Sequence, residues 1–119
     1  MTLQDGRHDN LVVVYVTMPS RQVAQDIATV LVEEKLVACA NIMPAMTSVY
    51  RWNEAIEQTD EVPVLLKTRA ALFDSVAARI KALHPYEIPC IEALPVGQAS
   101  PDFASWVCVQ TSNDAVQET

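Results

Sequence analysis

Residues 11–17 read LVVVYVT, an apolar and β-branched run with no polar interruption. The lack of alternation predicts a strand covered on both faces. After Pro19 and Ser20 the apolar spacing becomes helical over 21–35. Val23, Ala24, Ile27 and Leu31 mark one face, continued by Glu34. A second helix is predicted over 70–83, with Phe73, Val76, Ala77, Ile80 and Leu83 inward and Asp74, Arg79 and Lys81 outward. His84-Pro85 ends it, because the residue before a proline is pushed out of the α region. Residues 89–95 form a short run bracketed by prolines, the mark of an edge strand. Ser100-Pro101-Asp102 predicts a third helix: N-cap serine, proline at the first position and an acid in the first turn. Phe103, Trp106 and Val107 are its expected anchoring face.

Between the first two helices, residues 38–69 read as two long strands joined by a tight turn at Asn53-Glu54. That turn sets Trp52 opposite Ala55 and Tyr50 opposite Glu57. Arms of about 13 residues reach roughly 43 Å at roughly 3.3 Å per residue. A compact chain of this length has a radius of gyration near ~13 Å and a diameter of roughly 35 Å. An extended hairpin therefore overruns its own domain. Val49, Tyr50, Trp52 and Ile56 near the tip are left wet and unsupported unless a second copy covers them. The alternative is a bulge, allowed by Pro44 and Pro63, that folds the arm back onto its own core.

The order is βαββαβ with a terminal helix: an α+β fold of the ferredoxin-like kind, with right-handed crossovers and both helices on one sheet face. The first strand is then central and apolar on a bare face, which also asks for a partner. One domain is expected over 11–110, flanked by flexible segments 1–10 and 111–119.

A net charge of −7 argues against nucleic acid and anionic membranes, whose binding runs on Lys and Arg. Cys39, Cys90 and Cys108 are scattered with no CxxC pair, so they are read as reduced, small core residues of a cytoplasmic protein. No signal-like apolar region opens the chain, and 11–16 is too short to cross a bilayer. With Gly6 and Gly97 the only glycines, there is no phosphate-cradling loop.

Cys39-Ala40-Asn41-Ile42, Pro44, Thr47-Ser48, Tyr50-Arg51-Trp52, Lys67-Thr68, His84-Pro85-Tyr86, Leu94-Pro95 and Trp106 together resemble the CutA family, the divalent-cation-tolerance proteins, over about residues 11–109. The resemblance implies a ferredoxin-like homotrimer similar to the PII signalling proteins, with long hairpins wrapped around neighbouring subunits. It implies a cytoplasmic, non-enzymatic role in tolerance of copper and other divalent cations, with no tightly bound cofactor. Three positions depart from the pattern. Asn53-Glu54 replaces a turn that often carries glycine, and Ala45 stands where a glycine often follows the proline. Val16 occupies the place of a first-strand cysteine, so a thiolate copper site is not carried over.

His84, Tyr86 and Glu87 gather at the end of the second helix. His84 with Glu87 is either half of a metal site or a helix cap, with Tyr86 packed against the hairpin. In the resemblance Lys67 lines an inter-subunit cleft with Tyr50, Trp52 and the 84–87 turn. There it either binds an anionic metabolite or pairs with an acid. A hydrolase or lyase using His84, Glu87 and Lys67 is the alternative to a binding trimer, as is a PII-like signalling scaffold. Met43 and Met46, three apart, are read as gap-fillers on opposite strand faces.

Overall fold

The computed structural model describes residues 10–112. The flexible segments expected at 1–10 and 111–119 fall almost wholly outside that range. Thr111, however, belongs to the fold: it is buried, and its hydroxyl donates to Val107 O at 2.8 Å.

Among the described residues five strands and three helices follow the expected order, except that the first arm of the predicted hairpin is broken into two strands. They are β1 (Leu11–Met18), α1 (Arg21–Glu33), β2 (Cys39–Ile42), β3 (Met46–Trp52), β4 (Ala55–Arg69), α2 (Phe73–Leu83), β5 (Ile91–Pro95) and α3 (Pro101–Gln110). The antiparallel sheet runs β2-β4-β1-β5, with β3 paired to the free length of β4 and β5 at the edge. Val12, Val14, Val16 and Met18 of β1 and Val62, Val64 and Leu66 of β4 pack against α1 and α2 as one core. Ala24, Ile27 and Leu31 supply it from α1, and Val76 and Ile80 from α2. Leu83 is exposed, and residues 70–72 form a 3-10 turn ahead of α2. A bidentate pair ties the helices together, Arg79 to Glu34 at 2.9 Å through both nitrogens.

The turn register is as expected, with Trp52 opposite Ala55 and Tyr50 opposite Glu57. It holds back to Met46 opposite Glu61 and then slips. Ile42 faces Val64, where an unbroken pairing would give Leu65. Three residues, 43–45, thus oppose the two residues 62–63, which is a bulge of one. Because strand side chains alternate, the extra residue exchanges the faces. In β2 the even-numbered Ala40 and Ile42 pack on the helix side. In β3 the even-numbered Met46, Ser48, Tyr50 and Trp52 point to the other side.

The β3–β4 hairpin makes the chain long, 52 × 26 × 23 Å with a radius of gyration of 15.7 Å. It is neither bare nor folded away. Tyr50 and Trp52, expected to be unsupported, are 39% and 38% exposed and share a cleft with the 86–90 turn. Val49 and Ile56 on the opposite face are each 62% exposed. The helix-free face of β1 is likewise covered at one end, where Leu11 packs with Ala38 and Val107. Arg69 fixes α3 there by donating to Thr111 Oγ1 and O, both at 2.9 Å. The α3 anchor is therefore Ala104 and Val107, while Phe103 and Trp106 stack on each other near the surface.

Among the described residues three non-glycine residues take left-handed backbone: Lys35 (φ 61°), Asn53 (φ 50°) and Glu54 (φ 68°). Lys35 supplies the stop that α1 lacks in glycine, with Leu36 N–H returning to Leu31 O at 3.0 Å. Asn tolerates this region, whereas Glu54 carries the full Cβ clash of roughly 1–2 kcal/mol. Glu54→Gly removes the clash and loosens the unfolded chain, so a net stabilisation of about 0.5–1 kcal/mol is expected from urea unfolding. Glu54→Val should destabilise.

Candidate functional site

Between the hairpin and the 86–90 turn lies a cleft of about 590 Å³. Its floor is the helix-free face of β1, at Tyr15 and Thr17, and one wall is the even-numbered face of β3. The other wall is the 86–90 turn, held in place by His84. Buried at the end of α2, its ring meets Thr17 O through Nε2 at 2.8 Å, while Nδ1 takes the Tyr86 N–H at 3.1 Å. A carbonyl only accepts and an amide only donates, so Nε2 carries the proton and Nδ1 the lone pair. The His84 side chain therefore reaches across to β1 and does not cap α2 carbonyls. The ring also stacks obliquely on Tyr86, 4.7 Å between centroids. It positions Tyr86 over the cleft.

The Tyr86 hydroxyl lies close to the Glu61 carboxylate. Burial first, then the Glu61 carboxylate, pushes the Tyr86 phenol from 10.0 up to about 12. Tyr15 is raised as well, by burial and then by the negative charge of Cys90, Glu61 and Glu92. Its hydroxyl donates to the Met46 sulfur at 3.8 Å. Cys90, read from the sequence as a core residue, is an exposed member of the cleft lining. Burial of its sulfur, Glu92 and Glu61 raise its thiol, which disfavours the thiolate. No disulfide joins the three cysteines. Met43 lies exposed in the bulge, apart from Met46.

Several expected site residues thus come together and others do not. Tyr50, Trp52, Tyr86 and Glu87 line the cleft. Lys67 stands six residues further along β4 from Glu61, opposite Val13, and donates to Asn41 Oδ1 at 2.6 Å. Its partner is an amide and no acid. One chain does not assemble His84, Glu87 and Lys67 into an acid, base and anion holder. Nor does it close a metal site. Both His84 nitrogens are engaged, and among the described residues no three His, Cys, Asp or Glu side chains converge on one point.

Glu61, Glu57 and Tyr15 were not picked out from the sequence. The available signal was Glu61 itself, an acid next to the apolar run 62–66 and only 8% exposed in the fold.

Comparison with known proteins agrees with this architecture. The family described as CutA1 divalent ion tolerance protein matches residues 12–110. The chain belongs to the CutA1 family. The divalent-cation tolerance protein CutA of Thermus thermophilus is 44% identical over 95 residues, 80% of this chain and 92% of its own length. Human protein CutA is 39% identical over 93 residues, and there the match spans 52% of the relative. Among solved structures, CutA1 from Oryza sativa superposes with a TM-score of 0.86 at 33% identity, covering 90% of this chain and 98% of that one. The divalent ion tolerance protein CutA1 from Ehrlichia chaffeensis gives 0.83 at 36% identity, covering 87% and 97%. The family is one named for divalent-cation tolerance. Relatives include a chloroplastic and a periplasmic protein. Among the described residues no helix is long and apolar enough to cross a membrane.

Two outcomes test the wall of the cleft. Folded Tyr86 keeps its proton up to about 12, whereas the unfolded phenol loses it at 10.0. Its contribution is whole below pH 10 and is lost as pH rises through that interval. Urea midpoints on either side of pH 10 should show this decline, and Tyr86→Phe should flatten it. His84→Ala leaves Thr17 O without its donor and should cost about 1–3 kcal/mol. The loss should persist in EDTA, and a loss that EDTA abolishes would assign the ring to metal.

Proposed function

We propose that this CutA1 protein acts as a non-enzymatic homotrimer in the tolerance of divalent cations, copper among them. It binds metal weakly and holds a small ligand in its clefts. The strand order β2-β4-β1-β5 with two helices on one face supports the ferredoxin-like arrangement and the likeness to PII proteins. The observation that carries the assembly is the open face of the hairpin. Val49 and Ile56, each 62% exposed, stand diagonally across one face of a ribbon that projects from its own core. Two-stranded ribbons are marginal in water, and exposed apolar patches of this kind mark contact surfaces.

Weak metal contact is proposed on family membership, with donors shared between chains, since no three come together among the described residues of one chain. Glu87 is exposed and available, whereas His84 reaches a metal only by releasing the Tyr86 amide. Three cysteines without a disulfide suit the cytoplasm.

Native mass spectrometry tests the assembly. A chain lacking residues 49–58 should fall from trimer to monomer. The double change Val49→Lys and Ile56→Lys should do the same with its circular dichroism unaltered. Trimers surviving in the folded double variant would remove the hairpin from the interface and take the proposal with it.

A further inference from the structure

The charge and chemistry of the cleft are one-sided. All three tyrosines of the chain and one of its two tryptophans line it, with Glu57, Glu61 and Glu87. No Lys, Arg or His side chain among the described residues contributes to that lining. Glu61 is the decisive member. It is more than nine-tenths buried, and its side-chain partner among the described residues is the Tyr86 hydroxyl. A carboxylate has about four acceptor positions, and one hydroxyl fills one of them. A buried carboxylate with a neutral donor and no cation is costly, and the cost falls when a positive group arrives.

We infer that the cleft binds an organic cation, an ammonium or guanidinium group on a compact carbon body. The charged head meets Glu61 beneath Tyr15 and Tyr86, and the body lies between Tyr50 and Trp52. Cations are attracted to ring faces and apolar carbon packs against the same rings, so aromatic walls with a carboxylate floor suit both parts. A volume of about 590 Å³ is that of a small-molecule site. A hydrated divalent ion fits less well, because it asks for several oxygens at one point and gains nothing from the rings. Within one chain an anionic metabolite would meet three carboxylates, and that chain's own Lys67 is too far along β4 to offset them.

The inference rests on the proposed ligand-binding role of the cleft and assigns the sign of the ligand's charge. The test uses the full chain carrying Trp106→Phe, so that Trp52 alone reports by fluorescence. The probes are phenethylammonium, phenylacetate and 2-phenylethanol, which share a body and differ in charge, and calcium chloride alone. Phenethylammonium should shift Trp52 emission saturably, with the anion and the alcohol weaker by roughly tenfold or more, as expected for a charge-assisted bond and a cation on rings. Glu61→Gln, equal in size, should weaken the ammonium by roughly tenfold, and exposed Glu57→Gln by about threefold. Phenylacetate binding as tightly as the ammonium, or Glu61→Gln and Glu57→Gln both leaving affinity unchanged, overturns the inference and leaves a ligand cleft of another kind. A response to calcium with none to the ammonium overturns it in favour of metal. Silence from every probe removes the ligand-binding role together with the inference.

Discussion

The single extra residue between Ile42 and Met46 governs the rest of the molecule. A strand's side chains alternate, so a slip of one sends every later residue to the other face. Without the bulge at 43–45, Tyr50 and Trp52 would face the side of the sheet that carries α1 and α2. With it they face β1's helix-free side, where Tyr15, Thr17 and the 86–90 turn meet them. The bulge is held at its first residue. Met43 N–H donates to Pro63 O, and the Arg21 guanidinium donates to Met43 O, both at 2.9 Å. The same slip puts Val49 on the outer face together with Ile56 of β4. Cleft and proposed contact surface are therefore two sides of one ribbon, set by one register choice.

That coupling links the proposed assembly to the proposed ligand cleft. The hairpin's inner face is supported from within the chain, through His84 to Tyr86 and from Tyr86 to Glu61. Its outer face has no such support. A partner docking on Val49 and Ile56 would stiffen the ribbon whose other side walls the cleft, so occupancy of one face is felt at the other through shared backbone. Flexibility lost to one ligand is flexibility the next need not lose.

Much of this was legible in the residues. Asn53-Glu54 set the turn, and the pairing of Tyr50 and Trp52 followed by counting. Ser100 and Pro101 marked the start of α3, and the prolines around β5 marked an edge. What stayed hidden has physical causes. The bulge lacks a glycine, and Pro44 only permits an irregularity without saying whether a residue is gained. The end of α1 relies on a lysine in left-handed backbone, a conformation no residue preference announces. Trp106 and Phe103 satisfied helical spacing, yet α3 is anchored one position over, at Ala104, because Arg69 and Thr111 set its rotation. His84 and Glu87 are neighbours in sequence, but the backbone turn between them sends the ring to β1 and the carboxylate to the cleft.

Lys67 and Glu61 show why a site's charge is hard to read from a strand. They are six residues apart on β4, so alternation places them on the same face. Position along the strand, not face, separates their roles. At the Lys67 end, Asn41 of the neighbouring β2 takes the ammonium. At the Glu61 end the bulge has already replaced β2 by β3, so Met46 stands opposite, with Tyr15 and Tyr86 close by. The lysine is thus satisfied by a neutral amide on an exposed surface, while the acid is buried with a phenol whose proton it helps to hold. Burial makes the second arrangement the more demanding one, since a desolvated charge is far more sensitive to its partners than a wet one. The chemistry of the cleft follows from Glu61.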